Sequence, residues 1–472
     1  MLYILALLGL ASGTLFVGSS GDDEIIGTDD ADNIDAADGN DWVTGEAGDD
    51  TVDGNSGNDW IFGGDGDDSL SGGADDDFLA GDAGNDTVAG GAGHDMGTGG
   101  SGDDEIIGGD GDDVFTGSDG NDAMIGGTGD DVLHGDDWGV EYDVGSDDTI
   151  LGGSGDDILF GAGGNDLLNG GDDSDLLKGG GGDDTMDSGR GQDEMYGGAG
   201  DDLMTNFEGF DTMYGDAGND TLDAGFQGGD LYGGSGDDSL EGAHLGVGGE
   251  GNDTISGRMY LGGSDTLLGG AGDDSITGAA NSADYIDGGT GSDTLDGGIG
   301  NDTVDGGAGY DQAIIGGRGD DLLLSGADGA AIMAGGSGND TIVMQDGPVR
   351  LASGDGGNDD IFSFVGGDIT GGAGADNLYF SADFDPGVGN VLEFDTFEDT
   401  IIVMHPDAES PVQSDVDFNF AGNGTVTLSY THPDGTVEDL ARFREADILN
   451  QDEVFPVVQF VPISGFENLR LS

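Results

Sequence analysis

GEAGDDTVD, GNSGNDWIF and GGDGDDSLS, which run without a break from Gly45 to Ser71, are three copies of one nine-residue unit. Each reads G-G-x-G-x-D-x-U-x, where U is apolar: Val52, Ile61 and Leu70 in these three. The first four places are glycine-rich because the chain must turn sharply through backbone angles closed to residues with a Cβ. The last three places are too few to bury a helical face. They suit a short three-residue strand that points U one way and its neighbours the other. The U residues are mostly branched aliphatics, among them Ile25, Val43, Val88, Ile106, Leu159 and Leu168, which fit a strand interior. One apolar side chain per nine residues makes a thin stripe. It is buried only if successive units stack and two stripes face each other. That predicts an all-β fold, a parallel β-solenoid with two strands and two turns in each 18-residue coil.

Outward from this stretch, the period holds from Gly18 to His134. GDDWGVEY (Gly135–Tyr142) interrupts it, and it resumes from Asp143 to Glu241. Residues 242–380 are more ragged but keep clear units such as GGAGDDSIT and GGSGNDTIV. The sixth-place Asp recurs in nearly every unit and fails at Gly229 and Ala330, while Gly97 stands where an apolar residue belongs. Residues 135–142 and 242–247 are expected to bulge out or split the solenoid. The chain therefore divides into an apolar segment, 1–17, a first regular array, 18–134, a second regular array, 143–241, an irregular array, 242–380, and a β-rich cap, 381–472.

The 472 residues include 105 Gly, 101 Asp plus Glu, 8 Lys plus Arg and no Cys, for a formal charge of −93. Such a field repels nucleic-acid phosphates and anionic membrane surfaces. Disulfides play no part in the fold. Composition alone fits a structureless acidic polymer, but Asp kept in register over so many units does not.

Stacking sets sixth-place carboxylates in columns on both edges of the solenoid. Two of them about 5 Å apart repel by roughly 0.8 kcal/mol in water and several-fold more near a protein surface. Repeated along two columns, that exceeds what one aliphatic per unit offsets once ordering entropy is counted. The stacked state therefore calls for cations, held by Asp carboxylates and turn carbonyls. A flexible all-oxygen set favours Ca²⁺; Mg²⁺ wants tighter octahedral geometry and zinc wants His or Cys.

The units resemble the nonapeptide repeats of repeat-in-toxin (hemolysin-type) calcium-binding proteins. The resemblance spans residues 18–380 and implies a parallel β-roll with Ca²⁺ held between turns on each edge. It implies side-chain ligands at the sixth-place aspartates: Asp23, Asp32, Asp41, Asp50, Asp59, Asp68, Asp77, Asp86, Asp95, Asp104, Asp113, Asp122 and Asp131 in the first array. In the second array they are Asp148, Asp157, Asp166, Asp175, Asp184, Asp193, Asp202, Asp211, Asp220 and Asp238. In the third they are Asp253, Asp265, Asp274, Asp284, Asp293, Asp302, Asp311, Asp321, Asp340, Asp359 and Asp376.

The C-terminal part is similar to the β-rich segment that closes the roll in serralysin-type and related type I secreted proteins. There an F-x-x-x-x-D-x-I pattern follows the last repeat, a role that falls here to Phe394, Phe397, Asp399 and Ile401. VTLSYTHPDGTVEDL reads as a hairpin turning at Pro433-Asp434-Gly435. Residues 1–17 read as a signal or anchor segment, as an apolar cap on the open end of the repeats, or as a core element. Membrane contact runs only through that segment, if it is retained. Low-affinity calcium sites would be poorly filled at cytosolic calcium, so the expected location is secreted or at the cell surface.

No catalytic constellation emerges. There is no HExxH or GxSxG, and the single lysine, Lys178, rules out a GxxxxGK[ST] phosphate loop. The five histidines, His94, His134, His244, His405 and His432, are scattered and read as solvated turn residues. Trp42 and Trp60 sit 18 residues apart on the outer face, positioned to stack as surface rungs or to offer a sugar platform. The expectation is a non-enzymatic calcium-binding β-roll with a structural, adhesive or matrix role. Its partners would be calcium ions and surface or matrix polysaccharides or proteins. The alternative is a calcium-dependent accessory module, or a cryptic site in 381–472, of an extracellular polysaccharide- or protein-processing enzyme.

Overall fold

The structure is a computed structural model. It describes the chain except for residues 1–2, 6–13, 138–144, 259–262, 346, 382–388, 394–398, 406–415, 421–424, 432–436, 445–456 and 463–472. The described residues contain strands and turns and no helix, so none crosses a membrane as a long apolar helix. The chain forms two compact units, Met1–Ser235 and Gly236–Ser472.

Through most of the first unit a strand pairs in parallel with the next strand but one. Trp42–Ala47 lies beside Trp60–Asp65 with Val43 opposite Ile61, and Thr51–Ser56 lies beside Ser69–Ala74 with Val52 opposite Leu70. The register is therefore 18 residues, and the fold is the parallel β-solenoid that the period predicts. U residues form its core: Val43, Ile61, Leu79, Val88 and Ile106 are fully buried.

The strands are longer than the predicted x-U-x. Most have six residues, because pairing continues through the first three places of the next unit, as in Glu46 opposite Gly64 and Ala47 opposite Asp65. Glycine carries no strand signal, so this half of each strand is silent in the pattern. The turn shrinks to places four to six. At Gly57, in place four, φ is +115° and an added Cβ would lie 1.8 Å from the Gly39 carbonyl oxygen of the preceding coil. The turn thus stacks directly on its predecessor.

Gly97 costs the core little. A Cβ there would come within 2.7 Å of the Phe115 ring, which fills the place of the missing side chain. The interruption after His134 leaves the ladders continuous, with Gly127 opposite Gly153 and Leu133 opposite Leu159; its centre, including Trp138, lies outside the described residues. His134 is not a solvated turn residue. It is buried and stacks on Phe160 at 5.2 Å. At the other end, Tyr3–Leu5 pairs with Glu24–Thr28 and Thr14–Val17 with Asp32–Asp35.

In the second unit residues 242–247 stay within one strand, whose register against its neighbour shifts between Glu241 and Ala243. The strand Ser239–Glu250 is twelve residues long and pairs with Thr254–Gly257 through its first part and Thr266–Ala271 through its second. Six residues here replace a nine-residue unit, so a strand crosses where a turn would stand. Later raggedness is absorbed in turns, and the apolar register survives: Leu295, Ile314, Met333 and Ala352 are successive partners.

Beyond 380, Thr400–His405 continues the parallel ladder beside Asn377–Ser381 and Val457–Pro462. Val416–Phe420, Thr425–Thr431 and Val437–Arg444 form an antiparallel meander, with Thr431 opposite Val437 as the hairpin reading requires. The turn at 433–435, Phe394, Phe397 and His432 lie outside the described residues.

Candidate metal centre

The sixth-place aspartate follows the turn and precedes the strand, so its side chain swings under the turn instead of out from an edge. From Asp23 to Asp376, all of the aspartates named above are buried, none more than 5% exposed. They form columns in which each carboxylate serves the coil before it. The Asp41 amide donates to Asp59 Oδ1 at 2.8 Å, the Asp59 amide to Asp77 Oδ1 at 2.8 Å, and the Asp50 amide to Asp68 Oδ1 at 2.7 Å. Across the long coil the link persists, from the Asp131 amide to Asp157 Oδ1 at 2.8 Å. This bond between coils is absent from any reading of composition or spacing.

The second oxygen has a different fate. Oδ2 of Asp41, Asp50, Asp59, Asp68, Asp77, Asp86 and most of their equivalents is buried without a hydrogen-bond partner. It points at the first-place glycine of its own unit. A Cβ on Gly45 would lie 2.3 Å from Asp50 Oδ2 and 2.6 Å from the Gly63 carbonyl oxygen of the next coil. Only glycine fits this place, because a bare carboxylate oxygen and a carbonyl oxygen of the next coil lie together against its Cα.

Burying so many acids has an electrostatic signature. Burial, reinforced by neighbouring aspartates in the column, lifts the carboxyls of Asp59, Asp68 and Asp77 to about 7. Asp148, Asp166 and Asp175 rise to about 8 for the same reason. The amide bond to Oδ1 opposes the shift and is outweighed. Buried carboxylates with one unsatisfied oxygen demand either a proton or a cation.

Among the described residues no three His, Asp or Glu side chains converge to hold a metal. An ion here would have one or two carboxylates and would complete its shell from main-chain oxygen. That donor set is all oxygen, which fits Ca²⁺ and not zinc. The Oδ2 atoms and turn carbonyls are the groups that would hold it.

Four predicted ligands differ: their Oδ2 atoms accept from protein donors. Asp23 takes Ser19 N and Oγ at 2.7 and 2.9 Å, and Asp32 takes Thr28 N and Oγ1 at 2.7 and 2.9 Å. Asp284 takes Ala279 N and Ser282 Oγ, and Asp265 takes Arg258. Where Ala330 lacks the carboxylate, the Asp311 amide donates instead to the Gly329 carbonyl at 3.1 Å. One column member was not assigned as a ligand from the sequence. Asp399 is 4% exposed and accepts from the Asp376 amide at 3.2 Å; Ile401, two places on and fully buried, was its signal.

No curated protein matches the chain. The family model for the RTX calcium-binding nonapeptide repeat (4 copies) matches residues 17–52, 35–70, 53–88, 62–97, 89–124, 98–133, 144–177, 169–204, 208–231, 228–243, 247–258, 261–282, 279–313 and 325–343. These matches cover more than half of the chain and coincide with the coils whose aspartates form the columns, so the chain belongs to the RTX calcium-binding nonapeptide-repeat family.

Proposed function

We propose that this protein binds calcium along both aspartate columns, completes its fold on doing so, and acts outside the cytoplasm as a non-enzymatic structural, adhesive or matrix protein. One observation carries the reading: rank after rank of buried Oδ2 atoms with no hydrogen-bond partner, such as that of Asp50, which lies with the Gly63 carbonyl oxygen against Gly45. Calcium supplies the positive charge that lets these acids stay ionised under the turns. The chain's part is to hold Oδ1 by the preceding amide, so that Oδ2 is fixed in place before an ion arrives. A ligand that binds only the folded state stabilises it by mass action, and many sites in register make the response steep.

The extracytoplasmic placement follows from calcium supply, since open, carbonyl-rich sites of modest charge need far more calcium than the cytosol holds. A matrix or adhesive role suits an acidic repeat without a catalytic constellation; its partners would be surface or matrix polysaccharides or proteins. Circular dichroism in chelator and in millimolar calcium tests the fold. A largely disordered spectrum that gains most of its β-signal with calcium is expected, and a β-rich spectrum indifferent to chelator overturns the reading. Turnover of alginate or casein in calcium would overturn the non-enzymatic part.

A further inference from the structure

Arg258 stands second in its unit, a place that holds no other basic residue in the regular arrays, where Gly64, Glu46, Asn55 and Ser118 are examples. From Gly257 to Asp265 the sequence counts three residues more than the usual path from first glycine to aspartate. The arginine bends back onto Asp265. Its amide donates to Oδ2 at 2.9 Å, its Nε donates to Oδ1 at 2.7 Å, and Nη2 lies 2.6 Å from Oδ1. His244 Nδ1 adds a contact to the same Oδ1 at 3.5 Å. Asp265 is fully enclosed and the guanidinium side chain is 13% exposed. Gly263 makes the room: a Cβ there would come within 2.7 Å of Nη2.

Both oxygens of Asp265 are thus engaged by one residue, Oδ1 by the guanidinium and Oδ2 by the main-chain amide of Arg258. In the other column of this unit, Asp253, Asp274 and Asp293 keep a buried Oδ2 without a hydrogen-bond partner. A divalent ion beside Asp265 would have to displace the guanidinium or sit against it, and like charges at that separation in a buried site exclude each other. The next member of the same column is also closed. Asp284 accepts the Asp265 amide on Oδ1 at 2.9 Å, and its Oδ2 is held by Ala279 N at 2.8 Å and Ser282 Oγ at 3.1 Å. The bare Oδ2 atoms begin one coil later, at Asp302.

We propose that Arg258 is a built-in counter-ion standing where a calcium ion would otherwise be needed at Asp265, so that the coil spanning Asp265 and Asp284 forms without calcium and seeds the second unit. The metal half of this statement rests on the calcium reading; the seeding half does not. A guanidinium bound in this geometry does the electrostatic work of the ion and cannot be chelated away.

Two measurements on the full chain test it. Bound calcium is counted by equilibrium dialysis and elemental analysis for the wild type, Asp265→Asn and Asp274→Asn. The count is expected to be unchanged in Asp265→Asn and lower in Asp274→Asn; equal losses in both would overturn the proposal. A wild type that binds no calcium would overturn the replacement of an ion and the calcium reading together, and would leave the seed to be judged by the second measurement. There, hydrogen exchange in chelator compares the wild type with Arg258→Gln and Arg258→Lys. Protection of 266–277 and 285–296 is expected in the wild type, lost in Arg258→Gln and partly kept in Arg258→Lys. Protection equal in all three, or absent from the wild type, would overturn the seed.

Discussion

The first array and residues 322–380 carry the same aspartate columns but different cores. Around Val52 and Ile61 the core is one aliphatic per strand, and the ninth-place neighbours Asp53 and Phe62 are exposed or half-buried. Around Leu323, Ile342 and Ile361 the ninth place is buried too: Leu324, Val343 and Phe362 join Phe364 in a second apolar cluster, flanked by Leu322 and Tyr379. Phe362 and Tyr379 stack at 4.1 Å. Both regions bury carboxyls, yet only the late one has an apolar layer to set against their cost. The difference teaches that the nonapeptide pattern specifies geometry, while the place beside U sets how much apolar burial supports it.

The largest expected effect follows directly. Chelation should abolish exchange protection across 41–134 and leave residual protection at 322–364. Uniform loss would mean that the second cluster contributes nothing without calcium. Next in size, Phe362→Ala should cost about 3–5 kcal/mol through the cavity it leaves. In calcium this should appear as a lower melting temperature for the second unit. In chelator it should erase the residual protection, making late and early coils alike.

Acid should narrow the contrast by a third route. The carboxyls of Asp59, Asp68 and Asp77 rise from 3.8 to about 7, as does that of Asp359. A raised folded pKa means that the ion-free fold holds protons the unfolded chain has released. The stability this adds is fully present below about pH 4 and lost as pH climbs through about 7. In chelator, β-structure followed by circular dichroism should therefore return as pH falls from 8 towards 5. Tryptophan emission should follow, since Trp42, Trp60 and Trp138 all report on the early part of the chain. No recovery would mean that protons cannot stand in for the ion.

The smallest effect lies on the surface. Trp42 and Trp60 stack at 5.6 Å, 9° from parallel, and each is about half exposed, with Phe62 and Phe78 against them. Trp42→Ala should cost about 0.5–1.5 kcal/mol beyond its lost area, visible as a small drop in calcium-loaded melting temperature. A loss as large as that of Phe362→Ala would make the outer rungs structural partners of the core.

Much of this architecture was legible because it repeats. The spacing of Val43, Val52 and Ile61 declares the strands and the 18-residue coil, and the sixth-place Asp marks the columns. What escaped was whatever depends on a neighbour one coil away. Glycine-rich halves of strands such as Trp60–Asp65 look like turn until their partners are known. The aspartates look like edge charges until the amide of the preceding coil is seen to hold them inside. Phe115 filling the gap at Gly97, the crossing strand Ser239–Glu250 and Arg258 on Asp265 are single events, and periodicity has nothing to say about single events.

The amide-to-carboxylate link has a polarity. Along the columns an aspartate's N–H is satisfied by the aspartate that arrives one coil later, not by the one before it. A chain appearing amino end first would therefore always carry an open donor on its newest turn, and each arriving turn would close it and open another. Assembly of such a column resembles a zipper with one slider, running from amino to carboxyl end.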